Sequence, residues 1–307
     1  MLDIEKLLAL RAVAAHGTIA AAARELGYTR SAVSQQVSAL ERAAGTALLL
    51  RSGNSVTVTP VGRALLEHTE RILVELRAAQ AALQRSAGEI AGELRVGVPF
   101  REGPPLMSNA LTGVRRRHPK LELTLASTTD GTGAEEVRRG TLDLVVVSRF
   151  GPAPGPAEPG LRQCVLSRDP LRLCVSRRHR LAAAPDCRVA DLSAESWVIS
   201  PMSPLGRLTL GLCSSAGFQP AVAATVHDVA AALGLVEAEW GITIAPELTP
   251  SSRGADGLRR VALRDVDAFR HSVLLMRDGD EDSPSIAAVV SAVRSAGSRV
   301  AVQALVP

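Results

Sequence analysis

The chain has 307 residues, 46% hydrophobic and 21% charged, with 35 Lys and Arg against 31 Asp and Glu for a net charge of +4. That length gives about two domains with a sizeable core, and the composition is that of a soluble globular protein. No stretch is long and apolar enough to cross a bilayer, and the mild basicity permits nucleic-acid binding without demanding it. Aromatic residues make up 2% of the chain, so its cores must be built from Ala, Val, Leu and Ile.

The first informative segment runs from Thr18 to Glu41. It reads as two short helices, capped by Thr18 and Thr29, with Gly27 where the first must stop. Val33, Val37 and Leu40 recur at helical spacing and mark a buried stripe. The other side of the second helix carries Thr29, Arg30, Ser31, Ser34, Gln35, Gln36 and Ser38, with no negative charge before Glu41. Small, hydrogen-bonding side chains of this kind fit a major groove, where Arg pairs with guanine edges and Gln with adenine edges. An Ala-rich helix pair with a solvated face is the plainer alternative. The next segment favours DNA: Leu48-Leu49-Leu50-Arg51 and Val56-Thr57-Val58 flank a turn at Ser52–Ser55, which predicts a small hairpin, or wing, with Arg51 placed to meet phosphate.

From Pro60 to about Ser86 the pattern predicts one long helix, capped by Thr59. Leu65, Thr69, Ile72, Leu76, Ala79 and Leu83 follow alternating steps of four and three, flanked by charged residues. This is a coiled-coil seam between two subunits, or one amphipathic helix packed on its own domain.

Beyond a short hinge at Gly88–Gly92, strand and helix alternate. The predicted strands are Leu94–Val98, Leu121–Leu125, Leu142–Val147, Cys164–Leu166, Leu171–Val175, Trp197–Ile199, Gly241–Ile244 and His271–Leu275. The predicted helices are Leu106–Arg117, Gly133–Arg139, Leu205–Ala216, His227–Glu239 and Ser283–Ser295. Such alternation predicts a parallel sheet covered by helices on both faces. The Pro- and Gly-rich run Gly151–Gly160 is read as a surface loop. In open α/β sheets a ligand sits beyond the carboxyl ends of the strands. The effector-site candidates are therefore Phe100, Arg101, Thr128, Thr129, Ser148, Arg149, Ser200, Met202 and Pro246, joined by His227 and Asp228. Hydroxyls and helix N-termini suit an anionic small molecule, with Arg101 or Arg149 as its charge partner.

The first quarter of the chain resembles the LysR-type transcriptional regulators. The resemblance rests on the opening helix Leu2–His16, Gly17-Thr18, Ala21-Ala22, Leu26, Ser31–Val37, Leu40-Glu41, Gly45, Leu48, Arg51 and Val58–Gly62. Two positions depart from that pattern, Ser31 where Pro is frequent and Leu49 where Phe is usual. The later segments Leu94–Val98, Gly140–Leu144 and Gly241–Pro246 are similar to the effector half of the same family. The resemblance implies a winged helix-turn-helix domain over 1–59 and a dimerising linker helix over 60–88. It further implies a two-lobed, periplasmic-binding-protein-like α/β effector domain, with lobe I over 92–166 and 270–303 and lobe II over 167–269. The implied partners are duplex DNA bearing an inverted repeat, a small-molecule effector and a second copy or four copies of the chain. RNA polymerase is a further protein partner open to such a regulator.

No catalytic residue, metal site or cofactor is predicted. Gly131-Thr132-Gly133 lacks the third Gly of a dinucleotide loop, and Asp278–Asp282 lacks the Gly and Glu of a calcium loop. The start Met1–Glu5 lacks the basic and apolar segments of a signal peptide, which predicts a cytoplasmic protein. Cys164, Cys174, Cys187 and Cys213 form no C-x-x-C pair and are not expected to form structural disulfides. Two rival functions follow from the same residues: a thiol-based redox-sensing regulator, and a solute-binding or enzymatic α/β module with an incidental DNA-binding domain.

Overall fold

The computed structural model describes residues 2–52, 55–87, 90–99, 105–129, 131–251 and 257–303. The chain divides into two compact units, Met1–Ser86 and Ala87–Pro307.

In the first unit, α1 (Ile4–His16), α2 (Ile19–Leu26) and α3 (Arg30–Ala44) surround one small core. Leu10, Val13, Ala22, Val33, Val37, Leu40 and Leu48 are fully buried there. Ala at positions 9, 12, 22 and 23 lets these helices approach closely, which replaces the missing aromatic bulk. β1 (Leu49–Ser52) and β2 (Ser55–Val58) form an antiparallel hairpin, and Val56 N–H donates to the Gly17 carbonyl at 2.8 Å. α4 (Pro60–Ala87) begins where the Thr59 hydroxyl accepts from Gly62 N–H at 3.0 Å. Leu65 and Leu66 pack on the domain core, Thr69 and Leu73 are buried, and Glu70 pairs with Arg11 at 3.7 Å, so Leu65 and Thr69 of the expected seam are already covered within the chain.

The second unit is built on a mixed sheet. Its strands are β3 (Gly92–Val98), β4 (Leu121–Ser127), β5 (Leu144–Gly151), β6 (Leu161–Ser176), β7 (Asp186–Cys187), β10 (Thr243–Pro246), β11 (Leu258–Leu263) and β12 (Phe269–Arg277). They lie in the order β4-β3-β5-β12-β6-β11-β7, with β10 also paired to β6. The helices are α5 (Pro105–Arg117), α6 (Gly133–Arg138), α7 (Pro204–Ser215), α8 (Val229–Glu237) and α9 (Pro284–Gln303), and β8 (Ser196–Ile199) pairs in parallel with β9 (Ala221–Thr225). Period-two alternation builds two cores in lobe I: Leu144, Val146, Leu274 and Met276 face the α5 and α9 residues Leu111, Val114 and Val289. Val145, Val147, Val273 and Leu275 face the α6 residue Val137. A separate core in lobe II gathers around Leu173, Leu192, Trp197 and Ile244.

Several expectations are corrected. The sheet is not all parallel: β3 runs parallel to β4 and β5, but β12 is antiparallel to both β5 and β6. The two strands expected at Cys164–Leu166 and Leu171–Val175 are one sixteen-residue strand, β6, which serves both lobes. Its polar middle, Ser167-Arg168-Asp169, breaks the apolar run but stays paired with β12, with a register shift beside it between Ser272 and Val273. Helix α8 starts after Asp228 and not at His227, because the Asp228 side chain accepts from Ala231 N–H as the cap. Strands β7, β9 and β11 were not foreseen, and α9 runs eight residues past Ser295.

Candidate functional site

The first candidate surface is the outer face of α3. The Thr29 hydroxyl accepts from Ala32 N–H at 3.2 Å and the Thr18 hydroxyl from Ala21 N–H at 3.2 Å, fixing where each helix starts. Gly27 closes α2 at φ 68°, a left-handed conformation that a side chain disfavours, and so sets the tight turn between the two helices. Thr29, Arg30, Ser31 and Gln35 are exposed, with Ser34 and Ser38 half-buried beside them. Arg30 makes no ion pair among the described residues and stays available. Glu41, the first acid of the helix, is turned away: its carboxylate accepts from Leu48 N–H at 2.9 Å and Leu49 N–H at 3.1 Å and so anchors the wing. Gln36 is placed differently from Gln35. It lies toward the core flank, half-buried, with its Oε1 buried and lacking a partner among the described residues. Arg51 stands on β1 opposite Val56; its side chain lies outside what is described.

The second candidate is a cleft of about 780 Å³ between the lobes of the second unit. It brings together Thr128, Thr129, Ser148, Arg149, Met202, His227 and Asp228. Ser200 lines a smaller recess of about 40 Å³ that shares His227 and Asp228 with the cleft. Pro246 is not brought in: it is buried in its pairing with Leu171 on β6. Phe100 and Arg101 lie outside the described residues. The volume falls in the range of small-molecule sites.

Several lining groups are held by named partners. The Thr128 hydroxyl donates to Glu136 Oε2 at 2.6 Å, so its proton is committed. Arg149 is bound to Glu158, which also binds Arg138. Those two guanidinium groups hold the Glu158 carboxyl below the usual carboxylate range, so it stays ionised and neutralises Arg149. Ser203 caps α7, accepting from Gly206 N–H at 2.9 Å while donating to the Ser200 carbonyl at 2.8 Å. Gly206 is required there, since an added Cβ would stand 1.8 Å from that carbonyl oxygen. Ser203, Pro204 and Arg207 are cleft residues that the sequence reading missed. The signal was present: Ser followed by Pro just after a strand marks a capped helix start, which brings Arg207, four residues on, back over Ser203.

The thiols give no support to redox sensing. Burial pushes Cys174, Cys187 and Cys213 up to about 11, far from a reactive thiolate at neutral pH, and raises Cys164 as well. Among the described residues no group of His, Cys, Asp and Glu is arranged to hold a metal ion, and no helix is long and apolar enough to cross a membrane.

Comparison with known proteins agrees with this layout. The LysR substrate binding domain family matches residues 87–298, and the bacterial regulatory helix-turn-helix family of lysR type matches residues 4–63. The chain is similar to the HTH-type transcriptional regulator TcbR of Pseudomonas sp. (strain P51), 32% identical over 266 residues, 83% of this chain and 86% of that protein. It is also similar to TfdS of Cupriavidus pinatubonensis, 33% identical over 80% of this chain and 82% of that one. Among solved structures it resembles full-length CbnR complexed with its target DNA, with a TM-score of 0.62, 27% identity, and coverage of 96% of this chain and 100% of that one. A full-length OxyR variant from Pseudomonas aeruginosa shares the fold, with a TM-score of 0.75 at 17% identity over 96% of this chain and 95% of that one. A helix-turn-helix with an open, acid-free face joined to a two-lobed ligand-binding unit is thus matched in both parts, and the chain belongs to the LysR family of DNA-binding transcriptional regulators.

Proposed function

We propose that the chain reads duplex DNA with the Thr29, Arg30, Ser31, Ser34, Gln35 and Ser38 side of α3, and that Arg51 of the wing meets phosphate. Gln36 would contribute from the flank of that face. The observation that carries this reading is the exposed stripe of α3, from which Glu41 is withdrawn into the wing anchor. A surface of short donors and acceptors with one unpaired Arg can approach base edges without desolvating a carboxylate.

The domain scheme follows: residues 1–59 bind DNA, 60–88 form the dimerising helix, 92–166 with 270–303 form lobe I, and 167–269 form lobe II. Ile72, Leu76 and Leu83 of α4 are 41%, 40% and 73% exposed, an apolar line that a second copy would cover. Two or four copies then present paired recognition helices to an inverted repeat in the cytoplasm, with RNA polymerase as the downstream partner. The inter-lobe cleft takes a small anionic effector, and regulation arises because that effector binds one placement of the DNA-binding pairs more tightly than another. The chain acts by binding and not by catalysis.

The test is titration of the full chain onto the upstream region of its own gene, with footprinting. The expected result is protection of two half-sites whose centres are separated by about 10 base pairs or a multiple. The expected affinity is roughly 10³-fold or more above that for random DNA at physiological salt. Equal affinity for both DNAs would overturn the reading.

A further inference from the structure

We propose that Arg207 is the charge partner of the effector, and that the effector presents a carboxylate to it. This rests on the cleft being the effector site, as proposed above. Two arginines line the cleft among the described residues, and they are not equivalent. Arg149 is already matched by the ionised Glu158. Arg207 has no carboxylate within ion-pair distance among the described residues; its one hydrogen bond runs from Nη1 to the Met202 carbonyl at 2.7 Å. That bond orients the guanidinium without neutralising it. It also uses the outer nitrogen and leaves the Nε–Nη2 edge, two parallel donors whose spacing matches the two oxygens of a carboxylate.

The surroundings favour an anion at that edge. Arg207 lies in the first turns of α7, and α7 and α8 both start at the cleft, at Ser203 and Asp228, so the positive ends of both helices meet there. The only acid among the described lining residues is Asp228, whose Oδ1 is committed to the Ala231 N–H of its own cap. Across the cleft stand the hydroxyl-bearing Thr129 and Ser148, the Thr129 hydroxyl bonded to that of Thr132 at 3.1 Å, while the proton of Thr128 is held by Glu136. A compact carboxylate on Arg207 with hydroxyl or carbonyl groups further out would satisfy both walls. A cationic ligand would face an unpaired guanidinium and two helix N-termini, and a neutral one would leave that guanidinium unmatched.

The test uses calorimetric titration of the full-length protein with acetate, succinate, benzoate and shikimate, each against its amide. At least one carboxylate should bind, with its amide about tenfold weaker or worse. Arg207→Gln should lower the affinity for that carboxylate by about 10- to 100-fold and leave the amide unchanged, and Arg149→Gln should cost clearly less than Arg207→Gln. Thr129→Trp, which fills the cleft from an exposed position, should abolish binding of all probes. Arg207 is itself exposed, so the folded state of its variant is expected to melt like the wild type. Carboxylate binding lost in Thr129→Trp but retained in Arg207→Gln would overturn this assignment and leave the cleft reading standing. Binding indifferent to both variants would overturn the cleft reading itself. Amides binding as well as acids, or no acid binding at all, would also overturn the carboxylate assignment.

Discussion

Arg270→Leu is expected to destabilise the two-lobed unit by about 3–5 kcal/mol, the cost typical of leaving a buried charge without its partner. Asp169 and Arg270 are opposite each other on β6 and β12, where the chain passes between the lobes. Their side chains are 2% and 8% exposed and meet at 2.7 Å, and Leu248 N–H donates to both carboxylate oxygens at 3.2 and 3.3 Å. Burial raises the Asp169 carboxyl above its ordinary value, and the Arg270 charge offsets part of that rise. The sign of the pH dependence follows. A carboxyl raised in the folded state binds more protons folded than unfolded, so its ionisation removes stability as pH rises through the window between the two values. Without Arg270 the carboxyl moves higher still. The difference between variant and wild type should therefore be largest at neutral pH and shrink on acidification. Urea unfolding at several pH values reads this out. The Asp169→Asn, Arg270→Leu double variant should recover much of the loss, since no bare charge remains. A loss under about 1 kcal/mol, or one that grows toward acid, would contradict the account.

Substituting Ile72 and Leu76 together by Glu is expected to leave the chain folded and to prevent its self-association. Both side chains are exposed on the single chain, so little internal packing is lost. The contact of α4 with its own domain is made near the start of the helix, through Leu65, Leu66 and Glu70. In an assembly, four buried carboxylates would face one another across a two-fold seam. Sedimentation should show monomers at micromolar concentration. Operator affinity should fall by about 10²- to 10⁴-fold, because the second half-site is no longer engaged at a high effective concentration. Unchanged sedimentation would show that α4 is not the seam.

Much of this was legible in the sequence where a local rule decides the outcome. Thr18, Gly27 and Thr29 set the helix-turn-helix because a cap, a left-handed turn and a second cap are properties of a few adjacent residues. The strands Leu94–Val98 and Leu121–Leu125 followed from their apolar alternation. What was lost depended on distant partners. The pattern in Leu171–Val175 cannot say that this strand continues from Cys164, because Asp169 at its middle is satisfied by Arg270, about a hundred residues on, and by Leu248 N–H, about eighty residues on. Strand β9, Ala221-Val222-Ala223-Ala224-Thr225, has no alternation to read and is defined by its pairing with β8. In the cleft, Arg149 looked like a free cation because Glu158, in the loop, was not seen to reach it. The Ser-Pro helix start could have placed Arg207 at the cleft, but no local pattern tells that, among the described residues, no carboxylate reaches it. The long helix presented two alternatives, and each describes part of it: Leu65 and Leu66 pack on the chain's own domain and Thr69 is buried, while Ile72, Leu76 and Leu83 are left bare.

The most direct test of the central claim is the affinity of Gln35→Ala for operator and for random duplex DNA, measured at one fixed salt concentration by fluorescence anisotropy. Gln35 is exposed in the middle of the α3 stripe and supports no packing, so folding and dimerisation should be unaffected. If α3 reads bases, operator affinity falls by about 5- to 150-fold, equivalent to roughly 1–3 kcal/mol for one lost base contact. Random-sequence affinity should stay within about twofold, because phosphate contacts carry it. An equal change on both DNAs, or none on either, would contradict the claim that this face of α3 reads base sequence.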